Sequence, residues 1–289
     1  MTVSQSKYLA EPESENLTRD AKPFLKWAGG KQQLLTQYEP YFPTNICRYF
    51  EPFVGSGAVF FHLWNTGRLP STACLFDNNE ELVNTHIVVR DRLDELIQAL
   101  AVHKERHCRE YYYEVRKLDR QNISQSNVER AARTIYLNKT CYNGLYRVNR
   151  KGQFNVPMGS YKNPRILDGD LLRAASVALQ GICIEVRDFR SIVEFAQAGD
   201  FFYFDPPYDP LSKTASFTGY TAGNFQDQDQ RDLADTFTRL AAKSCLCMLS
   251  NSHTSFVLEL YRHFKIEIVQ AKRAINSDAN GRGPVEEGV

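Results

Sequence analysis

The sequence predicts an α/β chain: a mainly parallel sheet with helices on both faces, interrupted by a mostly helical segment that carries a β-hairpin. Three observations support this. Apolar runs end in glycine-rich or acidic turns and are followed by helix-period patterns, the alternation expected of a parallel sheet. The run Phe201-Phe202-Tyr203-Phe204 shows no polar alternation, so both of its faces must be covered. Between the two groups of strands, residues 86–179 read as helices with one hairpin.

In chain order, Met1 to Asp20 is polar and carries Glu11, Glu13, Glu15 and Asp20. Residues 1–20 are expected as a disordered tail with no signal peptide. Phe24-Leu25-Lys26-Trp27-Ala28-Gly29-Gly30-Lys31 opens an apolar helix marked by Leu34 and Leu35. A phosphate-loop reading fails, since position 25 is Leu where that motif needs Gly, and position 32 is Gln where it needs Ser or Thr. What remains is an anion site at a helix start with Lys31 close by, and the Trp27 indole beside it for a cationic or purine group. Cys47 to Phe50 reads as a strand, Glu51-Pro52-Phe53-Val54-Gly55-Ser56-Gly57 as a glycine turn, and Val59, Phe60, Leu63 and Trp64 as a helix face. Glycines there allow tight reversal and close backbone approach to a ligand. Ala73-Cys74-Leu75-Phe76 is the next strand and ends in Asp77, twenty positions beyond Gly57. An acid at that place grips a ribose diol in nucleotide-binding α/β folds.

Helices follow from Leu93 to Leu100 and from Val128 to Leu137. From Arg130 to Arg165 stand Arg130, Arg133, Lys139, Arg147, Arg150, Lys151, Lys162 and Arg165, with no Asp or Glu among them. Tyr136, Tyr142, Tyr146, Phe154 and Tyr161 are interleaved, a mixture suited to phosphates and unstacked bases. A solvated basic face is the plainer alternative. Asn149 to Val156 reads as a hairpin turning at Gly152, with Arg147 on one side and Pro157 on the other. The sheet pattern then resumes. Ile182 to Val186 is a strand with Asp188-Phe189 at its end, and a helix through Phe195 leads to the strand Phe201 to Phe204. A helix from Gln226 to Lys243, a strand from Cys245 to Leu249, a helix through Phe256 and Leu260, and a strand from Phe264 to Val269 complete the alternation.

At 289 residues with net charge +1, the chain can hold one α/β domain plus an insertion, and its charge alone does not announce a nucleic-acid partner. The distribution of charge does. No run of about eighteen apolar residues suggests a membrane span. The seven cysteines show no recurring metal spacing, so no metal is expected and a reducing cytoplasm is the expected setting.

The chemistry is read at Asp205-Pro206-Pro207-Tyr208, where a buried strand meets a stiff turn. The prolines keep Asp205 out of helical conformation and remove two backbone N–H groups. Asp205 and the Pro206 carbonyl form an acceptor-only pocket beneath Tyr208, which suits a planar heterocycle with an exocyclic amino group. An ordinary surface turn is the competing reading. The glycine turns, Asp77 and Trp27 ask together for a ligand with a ribose, a carboxylate and a positive centre. S-adenosyl-L-methionine has all three.

Lys26 to Lys31, Glu51 to Gly57, Tyr142-Asn143-Gly144-Leu145-Tyr146-Arg147-Val148-Asn149 and Asp205 to Tyr208 together resemble the Dam family of DNA adenine N6-methyltransferases, from about Ala21 to about Gly283. The resemblance implies a class I, Rossmann-like methyltransferase fold. Residues 21–85 and 180–289 would form the catalytic domain and 86–179 a DNA target-recognition domain. It further implies methyl transfer from S-adenosyl-L-methionine, leaving S-adenosyl-L-homocysteine, to N6 of a flipped adenine in double-stranded DNA, usually within GATC, by a monomer in the bacterial cytoplasm at the nucleoid. Catalytic roles fall on Asp205, Pro206, Pro207 and Tyr208. Cofactor roles fall on Trp27, Gly29, Gly30, Lys31, Glu51, Pro52, Gly55, Ser56, Gly57, Asp77, Asp188, Phe189 and Asp205, and DNA contacts on Lys26, Lys139, Tyr142, Asn143, Leu145, Arg147, Pro157 and Tyr161. A restriction-associated or RNA-directed amino methyltransferase, or a DNA-binding regulator without catalysis, are the alternatives. One departure stands out. After Gly281-Arg282-Gly283-Pro284 only Val285 to Val289 remains where the family has a further strand, which leaves the last sheet edge in doubt.

Overall fold

The computed structural model describes residues 20–27, 29–121, 124–208, 225–272 and 284–288. Its main sheet holds five parallel strands, β1 (Tyr49–Glu51), β2 (Ala73–Asp77), β3 (Cys183–Val186), β4 (Phe201–Phe204) and β5 (Leu246–Leu249), in the order β3-β2-β1-β4-β5. Phe50 lies opposite Cys74 on one side and Phe202 on the other. The chain lays β1, β2 and β3 outward, then returns with β4 on the free side of β1. That reversal is a topological switch point, where loops leaving neighbouring carboxyl ends diverge and open a crevice. Glu51 ends one of these strands and Asp205 follows the other.

The four residues of β4 are at most 1% exposed. Their side chains alternate between faces, as the strand period of two demands. Phe201 and Tyr203 join a core with Phe24, Tyr49, Phe60 and Tyr136, whereas Phe202 and Phe204 join a second core with Phe50, Phe189 and Phe237.

Nine helices are seen among the described residues: α1 (Leu35–Tyr38), α2 (Ala58–Asn65), α3 (Glu80–Asp91), α4 (Leu93–Glu105), α5 (Arg109–Lys117), α6 (Asn127–Thr140), α7 (Gly169–Leu179), α8 (Asp227–Ala242) and α9 (Ser255–Tyr261). Ser126 and Glu129 close a capping box on α6, and the Asn79 side chain caps α3 by accepting from Glu81 and Leu82 N–H. The first core continues from the sheet through Leu82, Leu96, Tyr112 and Ala132, so the inserted helices share it. α3 runs through the boundary between residues 85 and 86. α3, α5 and α7 have no counterpart in the sequence reading.

Several expected elements are altered. The helix after Lys31 breaks into a 3₁₀ turn (Lys31–Gln33), the four-residue α1 and a second 3₁₀ turn (Glu39–Tyr41), where Pro40 supplies no N–H. The expected helix start beside Lys31 is thus a 3₁₀ turn. The helix through Phe195 is a 3₁₀ helix, Phe189–Glu194, whose buried Phe189 and Ile192 stand three apart, as that geometry eclipses them. The hairpin is not a ladder but two single bridges, Val148 with Phe154 and Cys141 with Met158. Asn149 N–H still donates to Gln153 O at 2.8 Å and Asn155 N–H to Arg147 O at 3.0 Å, while Asn149 Oδ1 also accepts from Lys151 and Gln153 N–H within the turn. The strand expected from Phe264 begins at Ile268, because Phe264 turns back onto Phe237, 4.8 Å between centroids.

The doubtful last edge is filled. β8 (Pro284–Gly288) pairs antiparallel with both β6 (Asn251–Ser252) and β7 (Ile268–Lys272) in a three-stranded sheet ordered β6-β8-β7. The expected tail lies outside the described residues, Asp20 apart. Among the described residues no helix is long and apolar enough to cross a membrane, and no group of three or more potential metal ligands gathers.

Phe202 is fully buried and stacks on Phe50 at 4.7 Å. Phe202→Ala should lower the unfolding free energy by about 3–5 kcal/mol, read by urea titration as a lower midpoint at unchanged slope.

Candidate active site

The acceptor turn begins where β4 stops. Its prolines prevent continuation of the sheet ladder, and Asp205 leaves the strand end pointing into the crevice beside β1. Its Oδ1 lies 3.0 Å from the Lys31 ammonium and accepts from the Ser250 hydroxyl at 3.2 Å. Ser250 is fully buried; its N–H donates to Phe204 O at 2.9 Å, and its hydroxyl meets that of Tyr203 at 3.0 Å. Lys31 is 2% exposed, and a buried ammonium is tolerated only when paired and hydrogen-bonded. It also donates to Gly29 O at 2.8 Å and sits 4.3 Å from the centre of the Tyr208 ring. The residue expected beside a cofactor anion thus has its ammonium against the acceptor motif. Pro206 is buried and Pro207 exposed, with the Pro207 carbonyl accepting from Gln230 Nε2 at 3.1 Å.

Two glycine turns meet next to this motif. Gly55 has φ +48, and a Cβ there would stand 2.9 Å from Trp27 Cδ1, so only glycine fits. Gly57, at φ +72, is the residue before α2. A Cβ on Gly30 would approach Trp27 O to 3.1 Å and lie 3.9 Å from Ser56 Oγ, which places the turns in contact. Asp77 ends β2, accepting from Gly55 N–H at 3.2 Å and Asn79 N–H at 3.0 Å. Burial pushes its pKa up to about 6 despite these bonds. Glu51, 2% exposed and followed by buried Pro52, accepts from Tyr49 OH at 2.8 Å. Burial first, with the charges of Asp205 and Asp77 adding, raises its pKa to about 8, so it is largely protonated at neutral pH. Asp188 accepts from Arg190 N–H at 2.8 Å and pairs with the Arg190 guanidinium at 3.0 Å. Phe189 is 2% exposed and packs on Phe53 at 5.3 Å and Phe225 at 5.9 Å, so its ring belongs to the core beneath the glycine turn.

The basic segment adjoins this crevice. Trp27 stacks on Tyr146 at 5.2 Å, and buried Asn138 accepts from Lys26 N–H at 2.8 Å and donates to Lys26 O and Gly144 O at 2.7 and 3.0 Å. The Lys26 ammonium lies 4.6 Å from the Tyr161 ring centre. Tyr142 is 50% exposed and donates its N–H to Pro157 O at 2.9 Å. Asn143 is exposed at φ 54, Leu145 is half-buried, and Arg147 Nε donates to Asn155 Oδ1 at 2.7 Å. Lys139 is half-buried, and desolvation, with Lys26 nearby, lowers its pKa to about 8. The hairpin carrying Arg147 is pinned from behind: Asp119 accepts from Phe154 N–H at 2.7 Å, and Tyr112 and Arg116 donate to Val156 O at 2.9 and 3.2 Å. The basic patch is smaller than its sequence suggests. Arg133 is buried against Asp119 at 2.8 Å and Arg130 pairs with Glu81 at 2.7 Å, acids lying outside the acid-free stretch.

Sequence reasoning missed Ser250, Gln230, Asn251, Asn138 and Asp119. Ser250-Asn251 was findable, since polar residues directly after an apolar strand mark the ligand end of a parallel sheet.

A family profile described as D12 class N6 adenine-specific DNA methyltransferase matches residues 27–275. The chain belongs to that family. This D12-class methyltransferase is 43% identical over 270 residues to a type II methyltransferase of Lactococcus lactis subsp. cremoris, spanning 92% of this chain and 93% of the relative. It is 44% identical over 277 residues to a type II methyltransferase of Methanocaldococcus jannaschii, spanning 91% and 96%. It is 37% identical over 269 residues to the DNA adenine methylase of Escherichia coli, spanning 92% and 93%. Its substrate is therefore DNA, and its reaction is methyl transfer to adenine.

The Glu51 carboxyl gives this methyltransferase a signed pH dependence. Its folded pKa, about 8, lies above the ordinary 4.5, so its stabilisation is complete below about 4.5 and is lost as pH rises through about 8. Glu51→Gln removes that loss. The unfolding free energy of Glu51→Gln minus that of the wild type should rise from about pH 5 to about pH 9 in urea titrations, and a flat difference contradicts the assignment.

Proposed function

We propose that this chain transfers a methyl group from S-adenosyl-L-methionine to N6 of an adenine extruded from duplex DNA, within GATC. The observation that carries this is the Asp205 carboxylate, held by Lys31 and Ser250 at the switch point beside Tyr208 and the Pro206 carbonyl. The methyl donor fits the adjoining crevice. Gly55 and Gly30 admit no Cβ without crowding, which suits backbone approach to a ligand, and Asp77 stands at the strand tip where a ribose diol is gripped. Trp27, Gly29, Gly30, Lys31, Glu51, Pro52, Gly55, Ser56, Gly57, Asp77, Asp188, Phe189 and Asp205 would line or support that site. Bound there, the donor supplies an electrophilic methyl on a positive sulfur.

The protein's own part is alignment. An amino group paired inside a duplex cannot be approached in line, so the adenine must leave the stack. Tyr142, exposed at the recognition end, wedges into the gap. Tyr208 stacks on the extruded ring. Asp205 and the Pro206 carbonyl accept its two amino hydrogens, drawing the nitrogen lone pair out of ring conjugation and fixing its direction. Adenine's neutral amine is too weak an acid for Asp205 to deprotonate beforehand, so its proton leaves with or after transfer.

Residues 86–179 carry target recognition in this reading, against a catalytic part formed by 21–85 and 180–289. Asn155 orients Arg147 for a bidentate pair to guanine O6 and N7, while Leu145 and Pro157 meet a thymine methyl. Lys26, Lys139, Asn143 and Tyr161 complete the DNA-facing group. One monomer visiting each strand of a palindrome in turn suffices. A second reading, a restriction-associated methyltransferase, is supported by the higher identity to relatives named type II methyltransferases.

Asp205→Ala should abolish methyl incorporation while leaving duplex binding nearly intact; retained turnover rules the assignment out. Arg147→Ala should cost about 1–3 kcal/mol in cognate binding and relax choice at one base pair. Methyl incorporation into duplexes containing GATC, into the same duplexes with one base changed, and into matching RNA decides the target, and equal activity on every altered duplex defeats the site assignment.

A further inference from the structure

The acceptor turn is held not only through the Asp205 side chain but from behind, through its backbone. Asn251 and Gln230 are 1% and 2% exposed. Ser252 N–H donates to Asn251 Oδ1 at 2.8 Å, Asn251 Nδ2 donates to Gln230 Oε1 at 3.0 Å, and Gln230 Nε2 donates to Pro207 O at 3.1 Å. This chain of bonds has one direction only. The backbone N–H of Ser252 must meet an oxygen, which fixes the Asn251 amide; its NH2 must then meet an oxygen, which fixes Gln230 and leaves the Gln230 NH2 facing Pro207. A second arm starts one residue earlier, where Ser250 donates to Asp205 Oδ1 at 3.2 Å. The Ser250-Asn251 step at the end of β5 thus reaches both the side chain and the backbone of the turn.

The first turn of α8, which supplies Gln230, is itself fixed. Arg190 binds Asp229 and pairs with Asp232 at 2.8 Å, while its guanidinium also pairs with Asp188 at 3.0 Å. Gln230 therefore reaches the turn from an anchored helix.

Building on the role proposed for Asp205, we infer that Ser250, Asn251 and Gln230 are positioning residues whose two hydrogen-bonded arms set the spacing between the Asp205 carboxylate and the Pro206 carbonyl, and so the orientation of the amino group between them. They touch neither substrate nor cofactor. Their loss should lower the transfer rate without weakening either ligand's binding, since a displacement of about 1 Å in an aligned site is worth up to about 100-fold in rate.

The test is Gln230→Met, which keeps volume and removes both the donor to Pro207 O and the acceptor for Asn251 Nδ2, with Asn251→Asp as a second variant that cannot donate to Gln230 and turns the Gln230 carbonyl toward that of Pro207. Both are compared with wild type for kcat, for Kd of S-adenosyl-L-homocysteine and of the duplex, for base extrusion by 2-aminopurine fluorescence, and for Tm. The expected result is a kcat lower by about 10- to 100-fold with both Kd values and the extrusion signal unchanged. Unchanged kcat in both variants overturns the inference. So does a uniform loss of kcat, binding and extrusion that follows loss of folded protein. Wild-type protein that transfers no methyl group defeats the functional reading itself, whereas active wild type with equally active variants defeats only the positioning role.

Discussion

The contact between Lys31 and Asp205 is the constraint on which the site depends. It joins two turns 174 positions apart in the chain, at the place where the sheet reverses its order. An ammonium as buried as Lys31 needs a carboxylate, a carbonyl or a π-face around it, and here it has all three in Asp205, Gly29 O and Tyr208. The same contact fixes the Gly29-Gly30 turn against the acceptor turn. Ser250 closes the arrangement from β5, so Asp205 is held from both sides of β4. A rigid acceptor is useful because alignment set in advance need not be created at the moment of reaction.

Two further carboxyl groups, Glu51 and Asp77, lie near this contact. Asp205 and Asp77 both raise the pKa of Glu51, and burial does most of the work. Keeping Glu51 protonated near neutrality lowers the negative charge at the switch point while Asp205 stays paired with Lys31. Coupling to the basic segment is equally direct. The Trp27 and Tyr146 rings stack, and one buried amide, Asn138, holds Lys26 and Gly144 together. The backbone beside the glycine turns and the backbone of the Tyr142–Gly144 turn are thus parts of one packed unit.

What could be read from the sequence was what local pattern determines. Asp77 and Asp205 were legible because each stands at the end of an apolar strand, and the Gly55–Gly57 turn because it lies between a strand and a helix. The break in the helix after Lys31 is not legible from apolar period alone, which does not register Pro40. The apolar neighbours of Phe264 match a strand, whereas its ring is claimed by Phe237. Arg130 and Arg133 read as part of a basic patch because their partners, Glu81 and Asp119, stand outside the acid-free window. Gln230 and Asn138 gave no local signal, for a buried amide shows its purpose only when its distant partner is in place. β8 was underestimated because five residues gain two neighbouring strands at once, which no count of remaining positions reveals.

The most direct measurement is a crystal structure of the protein with a GATC duplex and S-adenosyl-L-homocysteine. The account predicts an adenine outside the stack against Tyr208, its N6 within about 2.7–3.2 Å of an Asp205 oxygen and of the Pro206 carbonyl. An extruded adenine whose N6 meets neither group, with Asp205 still engaged only by Lys31 and Ser250, would contradict it.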